Sequence, residues 1–128
     1  YDSGKRNFKL IDPRGKWGQG IAGDIKYDIA KIRHSIAGGF DTITNGLYSA
    51  YHQEPNKIEY NVFVSKNNQT ICNELDNIIE KNWKLDEIKM IEGLLFISML
   101  PLHSDNLERQ LALFCIGIER LNEIFGVK

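Results

Sequence analysis

Apolar residues recur along most of this chain at spacings of three and four, and only two short stretches alternate. The first pattern marks helices with one buried stripe, the second half-buried strands. Phe8-Lys9-Leu10 is the first alternating stretch, and Ser3-Gly4-Lys5-Arg6 ahead of it is a polar turn of the kind that closes a hairpin. Pro13 and the glycines at 15, 18, 20 and 23 predict an extended loop over residues 13–23. Asp24 then caps a helix running to about Ala37, with Ile25, Ile29, Ile32 and Ile36 as its buried stripe. Gly38-Gly39 ends that helix, and a second is predicted over Asp41–Tyr51.

Pro55-Asn56 is a break. Lys57–Ser65 then alternates, with Ile58, Tyr60, Val62 and Val64 on one side, and predicts a strand or extended segment. The remainder reads as three helices. Thr70–Trp83 places Ile71, Leu75, Ile78 and Ile79 on one face. Asp86 caps a strongly apolar helix that Pro101 ends near Leu100. Ser104 or Asp105 opens the last, with Leu107, Leu111, Phe114, Ile118, Leu121 and Phe125 at helical spacing. The sum is a single domain over residues 1–128, mostly α (α+β): a short N-terminal β-hairpin and loop in 1–23, then a helical bundle in 24–128.

Composition leaves this picture unchanged: 42% hydrophobic, 26% charged and a formal net charge of −1 are ordinary for a globular protein and give no support for nucleic-acid binding. The distribution of charge adds more. Residues 1–34 hold eight Lys or Arg against four Asp, or +4, and the remainder carries −5. A positive first third suits a region facing phosphates. Cys72 and Cys115 lie far apart and outside any C-x-x-C, which predicts reduced thiols in a cytoplasmic protein. No basic-then-apolar leader and no long apolar run appear, so neither a signal peptide nor a membrane span is expected.

Gly18-Gln19-Gly20-Ile21-Ala22-Gly23 matches G-x-G-x-x-G but fails the context of a nucleotide fingerprint. Pro13–Trp17 separates it from the preceding strand, and the helix after it leads to Gly38-Gly39 rather than to a parallel strand. The more informative arrangement surrounds it. Leu10-Ile11-Asp12-Pro13-Arg14-Gly15 ends an apolar run with a carboxylate, and Gly23-Asp24-Ile25-Lys26-Tyr27-Asp28-Ile29-Ala30 opens a helix with two more. An Asp at a strand end is a common place to hold a hard divalent cation against a nucleotide phosphate.

This order resembles the aminoglycoside phosphotransferase and choline kinase-like family, whose members read I-D-(P/W/F)-x, a loop, then G-D-x-x-Y-D-(L/I)-A. The continuation Lys31–Asp41, and Pro101-Leu102-His103 ahead of Asn106-Leu107-Glu108-Arg109-Gln110, is similar to a subgroup linked to capsule and surface-polysaccharide synthesis. The resemblance implies the C-terminal part of a kinase-like C-lobe, using Mg²⁺ with ATP or another nucleoside triphosphate. It implies that Asp12 binds the metal and that Asp28 braces the catalytic loop from a helix N-terminus, with Asp24 beside it as N-cap. The family's catalytic loop, H-x-D-x-x-x-x-N, is expected upstream of Tyr1, so the chain is expected to be inactive alone. Arg14 and His34 are the candidate contacts to a phosphate or to the acceptor, although a solvent-facing loop suits Arg14 equally and a satisfied surface or boundary position is the expectation for His34.

Two functions are compatible with these features. One is part of a phosphotransferase acting on a hydroxyl of a small-molecule acceptor such as a sugar or capsular polysaccharide precursor, completed by an N-terminal part. The other is a helical interaction module without chemistry. Faces that a missing part once covered predict a homodimer.

Overall fold

The computed structural model describes residue 20 and residues 23–55 and 57–126. The expected N-terminal hairpin, Asp12, Arg14 and most of the glycine loop lie outside them. The described chain is mostly helical, with one two-stranded antiparallel hairpin in its middle.

Helix α1, Ile25–Ile36, begins where Asp24 predicts, because the Asp24 Oδ1 accepts from the Lys26 N–H at 2.9 Å. It ends as the N–H groups of Ala37 and Gly38 both donate to the Arg33 carbonyl. Gly39 (φ +69°) turns the chain into α2, Phe40–Thr44. The helix expected over Asp41–Tyr51 stops there. Gly46, at φ +80°, takes a conformation no helix accommodates, and Tyr48–Glu54 becomes strand β1. Its partner is β2, Lys57–Val62, with Tyr48 opposite Val62, Ala50 opposite Tyr60 and His52 opposite Ile58. Tyrosines fit a half-buried pleated surface, and the pairing supplies the tertiary context that a helical reading of Asp41–Tyr51 lacks.

Helix α3 spans Asn68–Glu80 and α4 Leu85–Met99. Lys84, not Asp86, is the N-cap of α4, and Asp86 sits in its first turn. Pro101 falls inside a 3-10 turn, Leu100–His103, that continues the helix before it breaks. Asn106, rather than Ser104 or Asp105, caps α5 (Leu107–Phe125) by accepting from the Arg109 N–H at 2.9 Å.

Helices α4 and α5 make the most extensive helix pairing described. They run antiparallel, with Leu121 over Gly93 and Ile97 over Gly117. A Cβ on Gly93 would lie 2.9 Å from Leu121 Cγ, and one on Gly117 2.8 Å from Ile97 Cδ1, so the close approach needs both glycines. Adjacent residues of α4 serve two cores. Leu95 joins Ala30, Ile79 and Ile88, while Phe96 joins Ile43, Leu113 and Ile116 under the hairpin.

The buried stripes match the apolar spacing only in part, as at Ile79 of α3, which is buried as expected with Leu75 packed beside it. In α1 the buried residues are Ala30, Arg33 and His34, and Ile25 and Ile32 are exposed. In α3 they are Cys72 and Ile79, with Ile71 and Ile78 exposed. In α5 they are Ala112, Leu113, Ile116 and Gly117, and Leu107, Phe114 and Phe125 face outward. Helix α1 is rotated so that Ala30 and two polar side chains reach the interior, whereas α3 and α5 bury small residues beside Ile79, Leu113 and Ile116. No helix among the described residues is long and apolar enough to cross a membrane.

Candidate functional site

The rotation of α1 has a chemical cause. Arg33 is only 3% exposed and donates to three carboxylate oxygens. Its Nε and Nη2 form a two-point contact with Asp76 of α3 at 2.8 and 3.0 Å, and its Nη1 donates to Glu92 of α4. Glu92 is fully buried. Its second oxygen lies 3.4 Å from Arg120 Nε of α5, a charge contact without hydrogen-bond geometry, and Arg120 also holds Glu123 at 2.5 Å. Four helices therefore meet at one chain of alternating charge.

Burial works against the charge of Arg33, but the Asp76 hydrogen bonds and the Glu92 charge outweigh it and hold the guanidinium protonated. Burial also pushes the Glu92 carboxyl above its usual range, against the pull of Arg33 and Arg120. With one guanidinium bonded to it and another beside it, Glu92 completes the cluster. A charge buried this deeply persists only when it is paired and hydrogen-bonded.

His34 sits one residue further along α1 and is 1% exposed. Its ring centroid lies 4.4 Å from that of Phe40 and 4.1 Å from that of Phe96, and its Nε2 has no hydrogen-bond partner. Burial, helped by the charge of Lys31, lowers its pKa to about 4, so the imidazole is neutral at physiological pH. The expectation of a satisfied surface or boundary histidine is thus corrected. Two aromatic rings and the α1–α4 contact enclose this side chain, and its ring nitrogen goes unsatisfied.

Beyond the charge cluster a cleft of about 470 Å³ opens between the C-terminal end of α1, β2, the start of α3 and α5. Arg120 forms part of its wall and points its Nη2 at the Ala37 carbonyl, 3.5 Å away. Tyr60 of β2 donates its hydroxyl to Glu119 across the same space. Burial and the Glu119 carboxylate push the Tyr60 phenol up, so it stays a donor.

No protein-family model, curated protein sequence or solved structure matches the chain. The assignment of roles therefore stands on the residues themselves. Asp24 is the cap that the sequence predicts, and Asp28 lies exposed in the first turn of α1. Asp12 and Arg14 are outside the described residues. Among the described residues no three His, Cys, Asp or Glu side chains converge to hold a metal ion. His34 is not brought near Asp24 or Asp28: on one helix, six to ten residues correspond to roughly 9–15 Å of axial rise. Cys72 is buried and Cys115 half-buried, both as free thiols.

Sequence reasoning missed Arg33, Asp76, Glu92 and Arg120. One signal was present: Glu92 is a single carboxylate within the apolar run Met90–Phe96. An acid in such a run needs a buried base, and Arg33 is the partner it finds.

Proposed function

We propose that this chain is the C-terminal part of a cytoplasmic, ATP- and Mg²⁺-dependent phosphotransferase that acts on a hydroxyl of a small-molecule acceptor, a sugar or polysaccharide precursor. The motif order around Asp12 and Asp28 supports the reading, and one structural observation carries it. Helix α1 starts at the Asp24 cap and is tied to α3 and α4 by Arg33 through buried ion pairs. A loop that must present a carboxylate to a metal needs a rigid element directly behind it, since phosphoryl transfer depends almost entirely on positioning and electrostatics. In this reading α1 is that element, Asp12 is the ligand supplied by this chain, and Asp28 accepts from backbone N–H groups of the adjoining catalytic loop. Mg²⁺, when bound, neutralises charge on the nucleotide phosphates. In this reading turnover also requires an H-x-D-x-x-x-x-N catalytic loop to orient the acceptor hydroxyl.

The test uses the full-length gene product. Mg²⁺-dependent binding of a fluorescent ATP analogue, with phosphate transfer as the second readout, should be lost in Asp12→Asn while the circular dichroism spectrum is kept. Unchanged nucleotide affinity and transfer in a folded Asp12→Asn variant would overturn the assignment.

A second reading, a helical interaction module, is favoured by the apolar side chains that α1, α3 and α5 turn outward, among them Ile32, Ile78 and Phe114. Such faces mark association surfaces when they are contiguous. Sedimentation equilibrium of this chain should then reveal self-association. A clean monomer over a hundredfold or so range of concentration, about two decades of Kd, argues against it.

A further inference from the structure

The cleft at the far end of α1 is a candidate ligand site in its own right. It abuts Ala37–Gly39, at the opposite end of α1 from the Asp24 cap. Twelve helical residues separate these ends, an axial distance of roughly 18 Å. The cleft is lined by described residues alone, Asp24 and Asp28 not among them, and a ligand bound in it is argued without the phosphotransferase reading.

Its volume, about 470 Å³, lies in the lower half of the range for small-molecule sites. Charge decides what it does not suit. Arg120 is already answered by Glu92 and Glu123, and Glu119 accepts from Tyr60. An anion would meet Glu119 and the carboxylates behind Arg120, and a cation would meet Arg120 itself. The lining favours a neutral molecule.

Hydrogen-bonding capacity narrows the class. The Gln69 carboxamide nitrogen is committed to Asn73 and that of Asn68 leans on the Cys72 sulfur, which leaves both carboxamide oxygens as acceptors. Asn61 is exposed and offers both a donor and an acceptor. The consecutive residues Tyr60, Asn61 and Val62 all line the space, although neighbouring strand side chains point to opposite faces. The cleft thus runs along the outer edge of β2, where backbone donors and acceptors alternate. Val62, Val64 and Ile116 add an apolar floor. Groups that both donate and accept, carried on a C–H framework without net charge, are the complement of this surface.

We propose that the cleft binds a neutral polyol of monosaccharide size, with its hydroxyls on Asn61, Asn68, Gln69 and the edge of β2 and its C–H face on Val62 and Ile116. The test is a titration of the ¹⁵N-labelled chain with glucose, galactose and, separately, inorganic phosphate, followed through the backbone amides. At least one sugar should shift Gly39, Asn61 and Gln69 saturably with a Kd in the millimolar range, near −4 kcal/mol on the affinity scale. Asn61→Ala removes an exposed side chain and should weaken that binding by about fivefold, the size of one neutral hydrogen bond, with an unchanged spectrum elsewhere. Three outcomes overturn the proposal: no saturable shift with either sugar, stronger shifts at the same amides with phosphate, or sugar binding indifferent to Asn61→Ala.

Discussion

Lowering the pH from 7 to 5 should destabilise this protein through His34 alone by about 2 kcal/mol, and the variant His34→Leu should escape that loss. The buried imidazole between Phe40 and Phe96 has its pKa lowered from 6.5 to about 4. Below pH 6.5 the unfolded chain takes up a proton at His34 and the native protein does not, so stability falls as pH drops. The fall ends near pH 4, where the native imidazole charges as well. At 1.36 kcal/mol per pKa unit the whole effect is about 3 kcal/mol, and about 2 kcal/mol of it is reached by pH 5. Urea unfolding of both proteins at the two pH values measures it, because carboxylate contributions common to both cancel in the difference. The His34 ring proton, followed by NMR in the native state, should titrate near 4. An equal pH dependence in wild type and His34→Leu, or a native titration midpoint near 6.5, refutes the reasoning. The second result would mean that a partner or water reaches Nε2.

Three further outcomes test the packing of the helices. Glu92→Gln removes the charge between Arg33 and Arg120, leaving Arg33 with Asp76 and Arg120 with Glu123. It should cost about 1–3 kcal/mol in chemical denaturation, whereas Arg33→Met combined with Glu92→Leu should recover most of it. Gly38→Ala places a Cβ 2.5 Å from the Phe96 ring and 2.7 Å from the His34 carbonyl. It should lower stability by about 1–3 kcal/mol, and Phe96→Leu should then cost less in that background than alone. Asp24→Ala removes the cap on α1 and should cost about 1 kcal/mol, read as a fall in denaturation midpoint with an unchanged slope.

Much of the element order was legible. The cap at Asp24 and the breaks at Gly38-Gly39 and Pro55 depend on local chemistry, and local chemistry is written in neighbouring residues. The strand over Lys57–Val62 was visible from its alternation. Its partner was not, because Tyr48–Glu54 becomes a strand only by pairing with it and by the turn at Gly46. The face of α1 was misread for a related reason. Apolar spacing assumes that the interior is apolar, yet α1 turns Arg33 and His34 inward and leaves Ile25 and Ile32 outside. Only the meeting of Arg33 with Asp76 and Glu92, residues far apart in sequence, makes that orientation favourable. For the candidate site, Asp24 was read correctly, His34 was placed at the wrong depth, and the cleft beside β2 had no motif to announce it.

The buried charge cluster also sets a timetable for synthesis. Arg33 leaves the ribosome 59 residues ahead of Glu92, an interval of about 3–12 s at roughly 5–20 residues per second. Until α4 emerges, Asp76 of α3 can hold the Arg33 guanidinium, but Glu92 and the α4 face on which α1 packs are missing, so that side of α1 stays wet. Nascent chains stalled before residue 92 should therefore lack a docked α1, however well its own turns form.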